Sequence, residues 1–274
     1  MYVTITDDFD LDRIANSGQC FRWTKMDTST YRIVAGAFCI YVSDLGRSCY
    51  EFSYSEEEYR DFWHGYFNLD EDYRKIRERI DPKADPFLYQ ASECEKGIRI
   101  LRQNLWEMLV TFIISQNNNI PRIRKSVELL AECCGEKKID IRGMEYHAFP
   151  EPAAVASLSE KDLNTCGLGY RCRYVHAAAE AVLKGNIDLE ALRAADEKTS
   201  IKELMRLSGV GKKVASCAAL FGLHKTDAFP IDVWVKRILK DQYPDGYPFE
   251  HYSPYNGVYQ QYMFAYYRHD LQGK

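Results

Sequence analysis

The chain has 274 residues, 46% hydrophobic and 28% charged, a globular balance that excludes disordered, collagen-like and low-complexity classes; the length suggests roughly two domains and buries about 70–75% of the unfolded surface, so no disulfide or metal staple is needed. The net charge of −4 on its own argues against nucleic acid, since duplex-binding domains are mostly basic. Nine cysteines include no C-x-x-C pair and none follows Cys217, which argues against zinc ribbons, thioredoxin-type motifs and a C-terminal iron–sulfur cluster.

In chain order, Tyr31, Ile33 and Ala35, then Phe38, Ile40 and Val42, alternate with polar or small neighbours. With a turn at Asp44-Leu45-Gly46 and the run Ser48 to Phe52, they predict an antiparallel sheet with one wet face. Ser55 and Glu58 have capping-box spacing, so a helix starts there. A second short helix is expected from Asp70 to about Ile80, and Pro82 and Pro86 mark a linker. From Ser92 the pattern is helical. Leu105, Met108, Leu109, Phe112 and Ile113 share one helix face, and Met108 to Ser115 reads as a buried segment ending near Asn117-Asn118-Asn119. Further helices are expected at about 121–134, 160–165, 171–184 and 187–195. Ser200 and Glu203 form a second capping box, opening a short helix that Gly209 closes. Another helix runs from Lys212 to about Gly222, and Pro230 and Asp232 precede one more at 233–240. The fold class expected is α+β: an N-terminal antiparallel β domain with flanking helices over residues 1–90, then a larger all-α domain over 91–274. No run approaches the ~20 apolar residues of a membrane span, and the first residues do not read as a secretion signal. The cysteines read as reduced thiols, so an intracellular location is expected.

The overall charge hides an asymmetry. Residues 51–72 carry eight carboxylates against Arg60 alone, whereas residues 198–240 carry nine lysines and arginines against three carboxylates. A local field of this kind steers a polyanion; a solvated charged face has the same composition. Within the basic stretch lies Leu207-Ser-Gly-Val-Gly-Lys-Lys-Val-Ala-Ser-Cys217, followed by Ala228-Phe-Pro-Ile-Asp232. A short helix, a Gly209-Val210-Gly211 turn and a second helix make a helix–hairpin–helix. Its glycines admit a phosphate close to backbone N–H groups, and the second helix adds positive potential at its N-terminus. Such a device holds DNA backbone without reading sequence.

Lys213 falls in the first turn of that second helix, where the dipole disfavours a cation, and Lys212 beside it adds like-charge repulsion. Both effects favour the neutral amine of a covalent nucleophile. The reading is therefore Lys213 as nucleophile and Lys212 as a phosphate-facing or solvated cation; two phosphate contacts are the alternative. Cys217, four residues on, shares the face of Lys213, or is a small core filler. Asp232 is an N-cap in any case, and its carboxylate also suits cationic charge developing on a sugar.

Taken together, the helix–hairpin–helix, Gly-Val-Gly-x-Lys and Pro-x-Asp resemble the helix–hairpin–helix DNA glycosylase superfamily. Ser17-Gly18-Gln19-Cys20-Phe21-Arg22-Trp23, Ser115-Gln116-Asn117-Asn118-Asn119-Ile120-Pro121-Arg122-Ile123 and Leu168-Gly169-Tyr170-Arg171-Cys172-Arg173-Tyr174-Val175 resemble its 8-oxoguanine DNA glycosylases over nearly the whole chain. The resemblance implies a two-lobed helical domain with the active site between its lobes. It implies base flipping, attack of Lys213 on the sugar C1′, a Schiff base, and β-elimination, with Asp232 stabilising the oxocarbenium-like transition state. The carbonyl of Gly18 would accept the lesion's N7–H, Cys217 and Phe264 would sandwich the base, and Gln260 would bond its pairing edge. Asn117 would fill the gap in the duplex, Tyr170 would wedge the stack, and Arg122 and Arg171 would donate to the orphaned cytosine; both arginines also suit phosphates. Gly209, Val210, Gly211 and Lys212 would hold the DNA backbone. The partner implied is double-stranded DNA carrying 8-oxoguanine opposite cytosine, bound by a monomer. No cofactor and no catalytic metal is implied, although hairpin carbonyls suit a structural cation. Three positions depart from the family pattern: Ser208 stands for proline, Trp234 for the histidine of animal members, and Cys20 for serine. A glycosylase for another damaged base and a non-enzymatic DNA-binding module are the competing readings.

Overall fold

A computed structural model describes the backbone of residues 1–272 and side chains through Arg268. Five strands, β1 (Tyr2–Thr4), β2 (Trp23–Lys25), β3 (Thr30–Ala35), β4 (Phe38–Asp44) and β5 (Cys49–Phe52), form one antiparallel sheet in the order β1-β5-β4-β3-β2. Ile33 lies opposite Ile40 and Tyr31 opposite Val42. This face packs on an aromatic core that includes Phe9, Phe52, Trp63 and Phe67.

The second face of β3 and β4 is not wet. A small sheet of β6 (Lys137–Ile139) and β7 (Glu145–His147), absent from the expected all-α segment, lies near it. Its connection carries Asp140, buried, whose Oδ2 accepts from Tyr41 Oη at 2.8 Å and Arg32 Nε at 2.9 Å, while Oδ1 accepts from the backbone of Arg142 and Met144. Burial raises the Asp140 pKa, but these donors outweigh it and hold the carboxyl below its usual 3.8. Buried polar pairs of this kind explain why Val34, Cys39 and Tyr41 are covered without breaking the alternation that marked the strands.

The helix expected at Ser55 is present, with Ser55 accepting from the Glu58 backbone, but a π-turn over Tyr59–Trp63 interrupts it. Pro86 does not belong to a linker. It is the first residue of a helix, Pro86–Cys94, capped by Asp85, and proline is tolerated there because that N–H has no helical partner. Helix does not continue from Ser92: residues 98–104 run without regular secondary structure and bury Ile98, Ile100 and Leu101. Arg99, fully buried, donates to Asp7 and to the carbonyls of Asp8, Asn68, Glu71 and Phe67.

The central helix, Leu105–Ile114, is buried at every residue and packs on the helix Lys212–Gly222. Gly222 permits the approach: a Cβ there would lie 2.9 Å from Leu105 Cα. Phe112 and Phe221 stack at 5.4 Å, worth about 0.5–1.5 kcal/mol beyond burial. The helices Ile120–Cys134, Glu160–Thr165, Cys172–Leu183 and Leu189–Ala194 match expectation within a few residues. Ser200 does not cap. The hairpin's first helix is Glu197–Leu204, capped by Asp196 through the Thr199 backbone, and Ser200 Oγ inside it donates to the Leu192 and Asp196 carbonyls. The carboxylate four residues earlier is the better cap because it reaches the first-turn N–H groups. The last helix, Asn256–Gln272, packs against Pro86–Cys94 and Val233–Gln242. Among the described residues no helix is long and apolar enough to cross a membrane.

Candidate active site

The hairpin turn joins Glu197–Leu204 to Lys212–Gly222. Gly209 has φ +77°, and a Cβ there would lie 2.3 Å from Tyr174 Cγ, so the position requires glycine on two counts. Gly211 is different. It is the N-cap of the second helix, with φ −87° and no side-chain cap, and a Cβ on it would meet nothing within 4 Å. An uncapped helix end beside exposed Gly211 and Lys212 presents free N–H groups and a positive dipole end to an anion. Val210 points the other way: its side chain is buried, so any DNA contact from it would come from the backbone.

Lys213 follows on the same helix. Its amine is half-buried, donates to Ser115 Oγ at 3.2 Å, and lies 5.0 Å from the centroid of the Phe112 ring. Ser115 is the first residue past the buried central helix, so the core fixes the group that orients the amine. Cys217, one turn on, is buried. Burial pushes its thiol up to about 11, Lys213 pulls it down and the Asp232 charge pushes it further up. Cys217 therefore lies within the electrostatic reach of both. Asp232 caps Val233–Gln242: its Oδ1 accepts from the backbone of Trp234 at 2.9 Å and Val235 at 2.8 Å, and no partner holds Oδ2 among the described residues. Lys213 and Asp232 do not form an ion pair.

Gly18 sits on a turn held from both sides. Ser17 Oγ donates to the Ile14 carbonyl at 2.8 Å; Gln19 Nε2 donates to Arg99 O at 2.8 Å and its Oε1 accepts from Leu101 N at 2.9 Å. Gly18 itself has φ +84°, and a Cβ there would lie 3.3 Å from Phe264 Cε1. The structure therefore brings the N-terminal turn and the last helix together. Gln260 is buried one turn before Phe264 and accepts from Gln261 Nε2 at 2.9 Å. Arg268, one turn after, lies over the Phe264 ring at 5.2 Å.

The remaining expected residues gather around the Asn117 turn. Asn117 has φ +47°, a conformation asparagine tolerates better than most residues. Its Nδ2 donates to Tyr170 Oη at 3.2 Å; Tyr170 is 48% exposed and edge-on to Tyr174. Arg122 is exposed at the start of its helix, where only its backbone is engaged among the described residues. Arg171 departs from expectation. It is buried, donating to the carbonyls of Gln116, Asn117 and Leu168, and its guanidinium lies over the Tyr170 ring. Those donors hold the turn rather than reaching outward. Ser115, Phe112, Tyr174 and Arg268 were given no site role from the sequence. The signals were present: Tyr174 and Arg268 follow Tyr170 and Phe264 at helical spacing, and Ser115 closes the apolar run.

A cavity of about 720 Å³ lies elsewhere, between the sheet and the helices, lined by Phe38, Phe62, Trp106, Glu107 and Phe149 among others and by none of these site residues.

Two family models cover the chain: residues 2–109 match the 8-oxoguanine DNA glycosylase N-terminal domain, and residues 110–245 match the HhH-GPD superfamily of base excision DNA repair proteins. MBOgg1, solved in complex with a low-affinity DNA ligand, superposes with a TM-score of 0.92 at 36% identity over 100% of this chain and 96% of that one. The Clostridium acetobutylicum 8-oxoguanine glycosylase/lyase, solved with double-stranded DNA containing cytosine opposite 8-oxoG, superposes with 0.90 at 32% identity, covering 99% and 98%. The Arabidopsis thaliana N-glycosylase/DNA lyase OGG1 is 31% identical over 81% of this chain and 63% of its own length. The Saccharomyces cerevisiae N-glycosylase/DNA lyase is 34% identical over 65% and 50%, so the chain matches about half to two-thirds of these curated relatives. With family models spanning both parts of the chain and near-complete structural matches above 30% identity, the protein belongs to the 8-oxoguanine DNA glycosylase family of the HhH-GPD superfamily.

Proposed function

We propose that the protein is a bifunctional DNA glycosylase and abasic-site lyase that excises 8-oxoguanine from duplex DNA, preferentially opposite cytosine. It acts as a monomer on DNA inside the cell, the N-terminal β domain supplying Gly18 and the helical domain the remaining site residues. One observation carries the reading: the Lys213 amine is held by Ser115 over Phe112, with Cys217 one turn on and within reach of the Asp232 charge.

The mechanism follows from these placements. The uncapped hairpin helix holds backbone phosphate through the N–H groups near Gly211 and through Lys212. Tyr170 and Asn117, locked to each other, enter the duplex as the damaged nucleotide leaves it, offsetting an unstacking cost of a few kcal/mol. Arg122 contacts the orphaned cytosine directly; Arg171 acts first by holding the turn and reaches the cytosine only by leaving those carbonyls. Gly18 offers a carbonyl with no hydrogen-bond partner among the described residues. It accepts from N7–H of the lesion and opposes the N7 lone pair of guanine, a difference of about 1–3 kcal/mol. Cys217 and Phe264 flank the base and Gln260 bonds its pairing edge. The Lys213 nitrogen forms a bond to C1′ as the N9–C1′ bond breaks and its electron pair leaves with the base. The free Asp232 oxygen stabilises positive charge on the sugar. Loss of the amine proton and ring opening give the Schiff base, from which β-elimination breaks the strand on the 3′ side.

Incubating the protein with duplexes that carry 8-oxoguanine opposite each of the four bases tests the reading. Strand cleavage is expected in all productive pairs and fastest opposite cytosine. Intact duplexes in every case would overturn it.

A further inference from the structure

Arg268 is a cation at this site to which the family resemblance assigns no role. It lies one helical turn past Phe264, its guanidinium 5.2 Å from the centre of the Phe264 ring. Its Nη1 would be 3.9 Å from a Cβ on Gly18. Asp232 lies close enough for its charge to support the cation against burial, yet the two form no ion pair. The guanidinium is half-buried, and it has no hydrogen-bond acceptor among the described residues. A guanidinium carries five N–H donors in a fixed fork, and leaving a partly buried charged donor without an acceptor is unfavourable. The arrangement is one that a ligand oxygen completes.

Two neighbours locate that oxygen. Gly18 faces N7 of the flipped base, and Asp232 serves the sugar carbon attached to N9. C8 is the ring atom between N7 and N9, so a donor close to Gly18 and within reach of the Asp232 charge faces the C8 side of the purine. The C6 carbonyl lies on the opposite flank of N7, away from the sugar. We propose that Arg268 is a base-specificity residue that donates a hydrogen bond to the C8 carbonyl oxygen of 8-oxoguanine, the one oxygen that guanine lacks. This rests on the function proposed above. It adds a second point of discrimination to the Gly18 carbonyl: at C8 guanine presents a C–H, which leaves the donor unpaired. The bond also strengthens during the reaction. As N9–C1′ breaks, the departing base gains negative charge that its oxygens share, so the contact favours the transition state over the ground state.

The test compares wild type, Arg268→Met and Arg268→Lys on two duplexes under single-turnover conditions, one with 8-oxoguanine opposite cytosine and one with an abasic site opposite cytosine. Methionine keeps a flexible chain against Phe264 but donates nothing. Base release by R268M is expected to fall roughly 10–150-fold, the range for a hydrogen bond to a charged group, with lyase action on the abasic duplex changed less than threefold. Lysine, which keeps a charge and a donor, is expected to recover part of the loss. Unchanged lyase action also certifies that R268M is folded. Equal losses on both duplexes would mean that Arg268 binds a phosphate, and would overturn the proposal. Unchanged or faster base release would do so too, the second marking Arg268 as a plug that the base displaces. Wild-type activity on the 8-oxoguanine duplex tests the parent reading separately: without it both fall, whereas a normal wild type with no selective loss in R268M overturns this inference alone.

Discussion

Replacing Gly209 by alanine is expected to unfold the hairpin from the Tyr174 side, and the size follows from two contacts. The backbone at φ +77° costs a non-glycine residue about 1–2 kcal/mol. The added methyl would fall 2.3–2.7 Å from three atoms of the Tyr174 ring, and forcing a side chain into occupied space costs about 1–3 kcal/mol. The sum is a loss of about 2–5 kcal/mol in urea unfolding followed by tryptophan fluorescence. Tyr174 is edge-on to Tyr170, which bonds Asn117, so DNA affinity should fall as well. Gly211→Ala is the control. Its φ of −87° suits any residue and the methyl would meet nothing. The gain from a stiffer unfolded chain, about 0.4–1 kcal/mol, roughly offsets alanine's weakness as an N-cap. G211A should therefore stay within about 1 kcal/mol of wild type while losing affinity for duplex DNA, because its methyl stands where a phosphate approaches. Equal stability losses in the two variants would refute this division between packing and binding.

Arg171→Met removes a buried guanidinium that bonds the Gln116, Asn117 and Leu168 carbonyls; a stability loss of about 2–4 kcal/mol and a weaker preference for cytosine opposite the lesion are expected, measured by denaturation and by opposite-base kinetics. Glu107 is buried beneath the sheet, and burial raises its carboxyl pKa despite nearby Arg22 and the Gly36 N–H. A raised folded value means that its contribution is full below about pH 4 and is lost as pH rises through the folded value. Glu107→Gln, which keeps an acceptor for Gly36 N, should therefore match or exceed wild-type stability at pH 8 and flatten the pH dependence above pH 5. Asp140 has the opposite sign. Its lowered pKa gives stability that is present above about pH 4 and lost as pH falls through the folded value, so Asp140→Asn should unfold more readily at pH 7, by about 2–4 kcal/mol, and show less further loss on acidification.

Where local chemistry decided structure, the sequence was legible. Tyr31, Ile33, Ile40 and Val42 alternate because one sheet face packs on an apolar core, and the Leu105–Ile114 run is apolar because it is buried all round. The hairpin was readable because only glycine tolerates the Gly209 position, and Asp232 because a carboxylate just before a helix is a local N-cap signal. Tertiary partners hid the rest. Ser200 has a capping-box pattern, but Asp196 reaches the first-turn N–H groups earlier. The second sheet face reads as polar yet is covered, because Arg32 and Tyr41 find Asp140 more than ninety positions away. Arg171 looked like an outward donor; the carbonyls of Gln116, Asn117 and Leu168 take its protons instead. That Arg268 has no acceptor among the described residues is a property of the folded site, visible only once Gly18, Phe264 and Asp232 lie near it.

The proposed chemistry turns on one amine. Borohydride reduction in the presence of an 8-oxoguanine duplex should trap a covalent protein–DNA adduct with wild type, and Lys213→Gln should trap none while still binding the duplex. Trapping by K213Q at the wild-type level would show that another group attacks the sugar, and the account of Lys213 would be wrong.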